Sequence, residues 1–265
     1  RRGYTPQSLR LLAERAGTSK AGGWTEYSTL EACLRETLEE TAPRAMAVLD
    51  PIRLVITNWD EVMGLSATGD SKLDACSAPA HPHQPEMGRR SFSIGREVWI
   101  ERGDFEETPP KGFFRLYPGN KVRLKYGHVI ACTGCTKGAD GRVESVQAEL
   151  IPDTKSGTPG SDAIKVKGVI TWVGVVDGKR AEVRLYDRLF NEPQPDSGGR
   201  DFLASLNPNS LRVVQAIVEP SLAQARPDDK FQFERHGYFV ADRVDHSDAR
   251  PVFNLSVGLK DTWGK

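Results

Sequence analysis

Apolar residues recur at helical spacing only as far as Pro43; beyond it no segment of the chain sustains that period. The remainder must therefore be built from strands and turns, which restricts the molecule to a small α piece joined to a larger β region. Thr5 followed by Pro6 predicts an N-cap and first helical residue. Leu9, Leu12, Ala13 and Ala16 then form an apolar stripe, and Gly17 stops the helix. Ser28 and Glu31 have the spacing of a capping box, with Leu30, Cys33, Leu34 and Leu38 on one face behind them and Pro43 as the terminator.

After Pro43, Ile52, Leu54, Val55 and Ile56 read as a strand. Short strand-like runs follow at 98–100, 121–130, 143–150, 165–176, 181–189, 211–218, 231–233, 237–240 and 253–259. Turn clusters such as Gly138-Ala139-Asp140-Gly141 divide them. Many short strands with regular turns imply antiparallel barrels or sandwiches. Residues 201–206 read as one helical turn, and the Pro-, Ser- and His-rich stretch 64–85 as a long loop. A length of 265 residues admits one large β domain or two packed barrels.

Thirty-six basic and 36 acidic side chains give a net charge of zero, which excludes a globally cationic nucleic-acid coat and an acidic tail protein. No apolar run approaches the ~18–20 residues a membrane span needs, and no secretory signal is visible at the start. Four cysteines are too few for a disulfide scaffold, so a reducing, cytoplasmic location and no membrane partner are expected. The opening Arg1-Arg2, with no initiator Met, suggests a piece of a longer protein.

One local charge feature stands out. Between Thr108 and Ala139 lie six basic residues, Lys111, Arg115, Lys121, Arg123, Lys125 and Lys137, and no acidic one. Lys121, Arg123 and Lys125 alternate with Val122, Leu124 and Tyr126, which on a strand puts three cations on one face. Phe113, Phe114, Tyr117 and Tyr126 are interleaved with them. Aromatics beside cations suit single-stranded nucleic acid, whose bases stack and whose phosphates seek Lys or Arg. A solvated face with its charges paired elsewhere is the competing explanation. Cys132 and Cys135 form a C-x-x-C pair near His128, but a zinc site needs four ligands and Cys33 and Cys76 make no second pair. No phosphate-binding loop, dinucleotide fingerprint or nucleophile elbow occurs, so neither a catalytic residue nor a metal site is expected. The residues by themselves describe a binding module.

Seven segments carry more than pattern: APRAMAVLDP (42–51), HPHQPEMGRR (81–90), FRLYPGNKVRLK (114–125), KVKGVITWV (165–173), AEVRLYDRLF (181–190), EPSLAQARP (219–227) and FQFERHGYF (231–239). In order and spacing they closely resemble the C-terminal half of the bacterial glutaminyl-tRNA synthetases, class I enzymes that join glutamine to its tRNA with ATP and Mg. The resemblance implies a mainly β fold: a helical subdomain over 1–43, a proximal anticodon-binding barrel from 44–96 and 200–265, and a distal barrel, 97–199, inserted in it. It implies pairing of the 48–57 region with strands near 231–259. The family's HIGH-type and KMSK-type motifs would precede Arg1, so this chain is expected to hold no cofactor and to charge no tRNA. The implied partner is the glutamine tRNA, through its anticodon loop and inner corner, with no DNA partner and a monomeric protein.

Residue by residue, the resemblance places Arg44 and Gln232, with Pro82 nearby, where the middle anticodon base is read. It places Arg115 where the third base, a guanine, is recognised, and Arg123 and Lys125, with Val169 close by, where the first base and its phosphate are held. Gly112 and Phe114 depart from polar residues of the family pattern, and Lys125 from an arginine. Phe114 retains the ability to stack on a base, whereas Lys125 keeps the charge and loses the two-pronged fork. Without the resemblance, Arg44 is a cation at a helix end, Gln232 an exposed strand position between Phe231 and Phe233, and Arg115 and Arg123 surface charge. Three rivals stay open: a glutamyl-specific relative, a barrel that binds structured ribosomal RNA, and a protein-interaction module.

Overall fold

The computed structural model describes residues 1–18 and 23–260. Two helices, α1 (Pro6–Ala16) and α2 (Tyr27–Thr41), open the chain. Strands β1 (Arg44–Ala45), β2 (Ala47–Val48) and β3 (Pro51–Ile56) follow, then the short helix α3 (Trp59–Met63). Next come β4 (Asp74–Pro79), β5 (Arg89–Ile94), β6 (Glu97–Glu101), β7 (Lys121–Leu124), β8 (Val129–Lys137) and β9 (Val143–Leu150). The order continues with β10 (Gly168–Ile170), β11 (Trp172–Gly174), β12 (Lys179–Tyr186) and β13 (Leu211–Val218), and ends with β14 (Lys230–Phe233), β15 (Gly237–Ala241) and β16 (Val252–Gly258). None of the described helices is long and apolar enough to cross a membrane.

The chain divides into two compact units. The first holds Arg1–Pro43, Ala181–Gln215 and Ala225–Lys265; the second holds Arg44–Arg180 and Ala216–Gln224, so residues 44–96 pack with residues 97–180. Each unit is built on a barrel-shaped sheet, and the fold is mainly β with a small N-terminal α piece. In the first unit the strands run β14-β15-β16-β12-β13, and in the second β10-β7-β8-β9-β3-β6-β11 with β4-β5 as a separate hairpin. Most pairings are antiparallel, but β12–β16, β3–β9 and β7–β10 are parallel.

The first helix forms as its sequence dictates. Thr5 Oγ1 accepts the Ser8 amide at 3.0 Å, Pro6 fills the first helical position, and Gly17, at φ 70°, ends it. The capping box expected at Ser28 does not form: α2 begins two residues earlier, with Glu26 in the cap position, so Ser28 lies inside the first turn and the Glu31 carboxylate pairs with Arg188 at 2.8 Å. The α2 stripe does become core, with Leu34, Leu38 and Ala42 packed against Tyr238 and Val257 of the same unit.

Two further expectations need correction in the second unit. Strand β3 pairs with β6 and β9, not with strands near 231–259, while Val48 pairs with Ile217. Alternation along β3 decides this: Ile52, Leu54 and Ile56 point into a core shared with Val98, Ile100, Val146 and Ala148. The stretch 64–85 is not a single loop, since β4 lies in it, paired with β5 so that Cys76 and Ala78 face the core beside Phe92 and Ile94.

Candidate nucleic-acid interface

The cationic run of the second unit is organised by the β7–β8 hairpin. Val122 and Leu124 are fully buried, so Lys121 and Arg123 point away from the core. The expected single run 121–130 is broken after Leu124, where Tyr126 adopts a left-handed φ of 63° and the Gly127 amide donates to the Leu124 carbonyl at 2.8 Å. Lys125 therefore stands on the turn rather than on the strand face. It is well fixed there: its amide donates to the Ile170 carbonyl at 2.9 Å, and its carbonyl accepts from the Trp172 indole at 2.8 Å.

Strand β10 lies parallel to β7 at the sheet edge and sets half-exposed Val169 opposite Arg123. A Cβ on Gly168 would stand 2.1 Å from the Phe114 carbonyl oxygen, so only glycine lets β10 lie against that segment. Phe114 is 56% exposed, and the Lys167 ammonium sits 5.4 Å from the centre of its ring. The structure thus gathers Phe114, Val169, Arg123 and Lys125 at one edge. Lys167, which sequence reasoning passed over, joins them; its alternation with Lys165 ahead of β10 was the available signal.

The two arginines of this edge differ in state. Arg123 is held by the 151–164 loop, its Nη1 donating to the Thr154 carbonyl at 2.6 Å and its Nη2 to the Ser161 carbonyl at 2.7 Å. Only 13% of its side chain is exposed. Arg115 keeps 48% of its side chain exposed and is held through Nη1, by Asp104 Oδ1 at 2.8 Å and the Gly103 carbonyl at 3.3 Å.

The same unit brings Arg44 and Pro82 together. The Arg44 amide donates to the Ala80 carbonyl at 2.7 Å, and the loop that carries exposed Pro82 is closed by the Ala80 amide on the Gly88 carbonyl. Arg44 itself is nearly buried. In the first unit, Gln232 is half-buried on β14. Its Nε2 donates to the Tyr238 hydroxyl at 2.8 Å and to Glu39 Oε2 at 3.3 Å, with the Tyr238 hydroxyl also donating to Glu39. This network fixes the amide and turns its oxygen into the acceptor it can offer.

Other reactive side chains have structural tasks. Cys132 is buried at the inner face of β8, and burial pushes its thiol up to about 11, far from the thiolate that redox or metal chemistry needs. His128 Nε2 meets Asp74 Oδ2 at 2.8 Å, and Lys155 Nζ reaches Asp74 Oδ1 at 2.6 Å. Burial lowers the His128 pKa against the pull of Asp74, so the ring stays neutral near pH 7. Among the described residues no three His, Cys, Asp or Glu side chains converge as a metal site would require.

Residues 42–151 and 169–242 match two family models, each described as the anticodon-binding domain of class I (E and Q) tRNA synthetases. Arg44, Pro82, Phe114, Arg115, Arg123 and Lys125 fall within the first match, Val169 and Gln232 within the second. The chain is 60% identical over its whole length to the glutamine–tRNA ligase of Ralstonia nicotianae, of which it covers 44%. It is 51% identical to that of Polynucleobacter asymbioticus and 52% to that of Bordetella pertussis, with 99% of this chain matched and 44% and 43% of those proteins covered. The chain therefore spans less than half the length of the curated relatives it matches.

Proposed function

The chain belongs to the anticodon-binding domains of the class I (E and Q) tRNA synthetases, and from that premise we propose that it reads the anticodon loop of a glutamine tRNA. One observation carries the reading: the second unit leaves Phe114 and Val169 exposed at a sheet edge, with the Lys167 ammonium over the Phe114 ring, exposed Lys121 and half-buried Lys125 at the two ends of the paired strand, and exposed Arg115 next in the chain. Exposed apolar faces beside cations are what unstacked bases and their phosphates require.

The roles divide by chemistry. Arg115, with its exposed guanidinium, takes the third base, since guanine presents two acceptors that a planar fork can meet together. Phe114 stacks on a base. Lys125 holds the first base and its phosphate beside Val169, and Arg123 serves the same base from beneath, bracing the strand through its contacts with the 151–164 loop. Arg44, Pro82 and Gln232 serve the middle base, and the N-terminal helices approach the inner corner of the tRNA. We read the protein as a cytoplasmic monomer.

In the intact protein this recognition would be coupled to joining glutamine to its tRNA with ATP and Mg. The residues described here do not fit either group, as no carboxylate cluster for Mg and no phosphate-binding loop is present among them. The chemistry belongs to the portion of the relatives outside this match.

The test is photo-crosslinking of the full chain to an anticodon stem-loop carrying 4-thiouridine in the loop. Crosslinks are expected in peptides 113–126 and 167–170, with weaker ones near Arg44 and Pro82. Crosslinks confined to the remainder of the chain would overturn the assignment.

A further inference from the structure

Resting on the reading of Arg115 just given, we propose that Asp104 is a positioning residue for third-base recognition, holding one edge of the Arg115 guanidinium so that the other faces the guanine.

Asp104 ends a short 3-10 turn, Arg102–Asp104, and is fully buried. It is brought there by its neighbours. Phe105 and Leu116, both core residues, form a parallel bridge, the Leu116 amide donates to the Asp104 carbonyl at 2.9 Å, and the Glu106 amide donates to the Leu116 carbonyl at 3.0 Å. The two chain segments are thus zipped together immediately beside Arg115. The Arg115 backbone is fixed from the other side, where Asn120 Nδ2 donates to the Arg115 carbonyl and Asn120 Oδ1 accepts the Tyr117 amide at 2.9 Å. The root and one prong of the side chain are therefore both pinned, while nearly half of it meets solvent.

Physical chemistry explains why this pin selects a direction. A carboxylate out of water is costly unless a charged donor stays with it, so any rotamer that takes Arg115 away from Asp104 is disfavoured. Both contacts are made through Nη1, which leaves the Nη2 and Nε donors of a nearly half-exposed side chain for a ligand. A base that needs two donors in one plane then meets a guanidinium already oriented, and the rotamer entropy that binding would otherwise cost has been removed in advance. A lysine in the same place has a single point charge; once drawn to Asp104 it has no second edge to present. Arg123, by contrast, spends both terminal nitrogens on loop carbonyls.

The experiment measures equilibrium binding of the full chain to two stem-loops that carry the glutamine anticodon with either guanine or adenine as third base. The wild type is expected to prefer guanine by ~10-fold or more, in line with a good two-point base contact. Asp104→Asn, which keeps the shape and removes the charge, should cut that ratio to about threefold or less while leaving affinity for the adenine loop and the salt dependence unchanged. Arg115→Lys should lose the ratio as fully as Arg115→Ala, and adding Asp104→Asn to Arg115→Ala should change it no further. A wild-type ratio retained by Asp104→Asn would overturn the inference while leaving the functional reading intact, whereas one retained by Arg115→Lys would overturn the two-point contact assigned to Arg115, and the inference with it. Absence of any ratio in the wild type would instead sink the role of Arg115, and Asp104's with it. Should Asp104→Asn fail to fold, Asp104→Glu, which keeps the charge and displaces it by one methylene, takes its place in the same assay, with a reduced ratio expected and a wild-type ratio overturning the inference.

Discussion

Arg115 and Arg123 arise from one stretch of sequence, eight positions apart in a run free of acidic residues, yet the fold puts them to opposite uses. Around Arg123 the chain closes inward: the guanidinium binds carbonyls of the 151–164 loop, Thr154 Oγ1 takes the Val129 amide at 2.9 Å, and Lys155 ties the same loop to Asp74. Around Arg115 the chain opens outward, with a single buried carboxylate as anchor and an exposed phenylalanine next door. The difference teaches that a basic stretch need not be one uniform adhesive surface. Its outer members meet a ligand because an inner member braces the edge they stand on.

That contrast can be broken most decisively at the brace. Arg123→Ala should lower unfolding free energy by ~2–3 kcal/mol, the range expected when a charged donor leaves buried carbonyls unsatisfied, measured by urea denaturation. Arg123→Lys should recover less than half of it, because an ammonium cannot span both carbonyls. An unchanged urea midpoint in Arg123→Ala would end the distinction. On the outward side the reverse holds: Phe114→Ala should weaken stem-loop binding by ~1–3 kcal/mol if a base stacks there. Its stability should stay within ~0.5 kcal/mol of wild type, as for an ordinary exposed position.

A smaller effect sharpens the inward side through pH. The His128 pKa in the fold lies below its ordinary value of 6.5, chiefly from burial, so the unfolded chain takes up that proton first. Stability is therefore full above ~6.5 and declines as pH falls through it, and Asp74, held low by Lys155 and His128 despite its burial, adds a second loss only below the usual carboxylate range. Thermal unfolding at stepped pH should show the first decline in the wild type and a flatter profile in His128→Gln. The smallest effect belongs to exposed Lys121. Lys121→Ala should reduce affinity evenly for all loops and lessen the salt slope by about one, with preference among bases untouched.

Much of the fold was legible because local chemistry and burial agree there. Thr5, Pro6 and Gly17 delimit α1 as expected, and the strand-like runs 143–150 and 211–218 become β9 and β13, burying Val146, Ala148 and Leu150 in the one and Ala216 and Val218 in the other. Strand β4 was illegible for the opposite reason: Asp-Ala-Cys-Ser-Ala-Pro has no β-branched or aromatic residue, and it is a strand only because β5 supplies a partner. The break at Tyr126 was hidden because a left-handed tyrosine is unusual and the sequence there offers no turn dipeptide. At the site, residue types pointed to single-stranded RNA, but which cations are braces depends on carbonyls thirty to forty residues away, as with Thr154 and Ser161. Asp104 and Lys167 went unseen on the same ground, since neither burial of one nor the ring contact of the other exists until distant segments meet.

The central claim is that the chain distinguishes anticodon bases rather than simply adhering to RNA. Its most direct test is the affinity of the full chain for a glutamine-anticodon stem-loop against matched loops altered at the middle or the third base, with a structured ribosomal RNA hairpin as competitor, at one fixed salt concentration. Preference for the glutamine loop by ~10-fold or more over each altered loop, undiminished by the hairpin, is the predicted result. Equal affinity for all of them would contradict it.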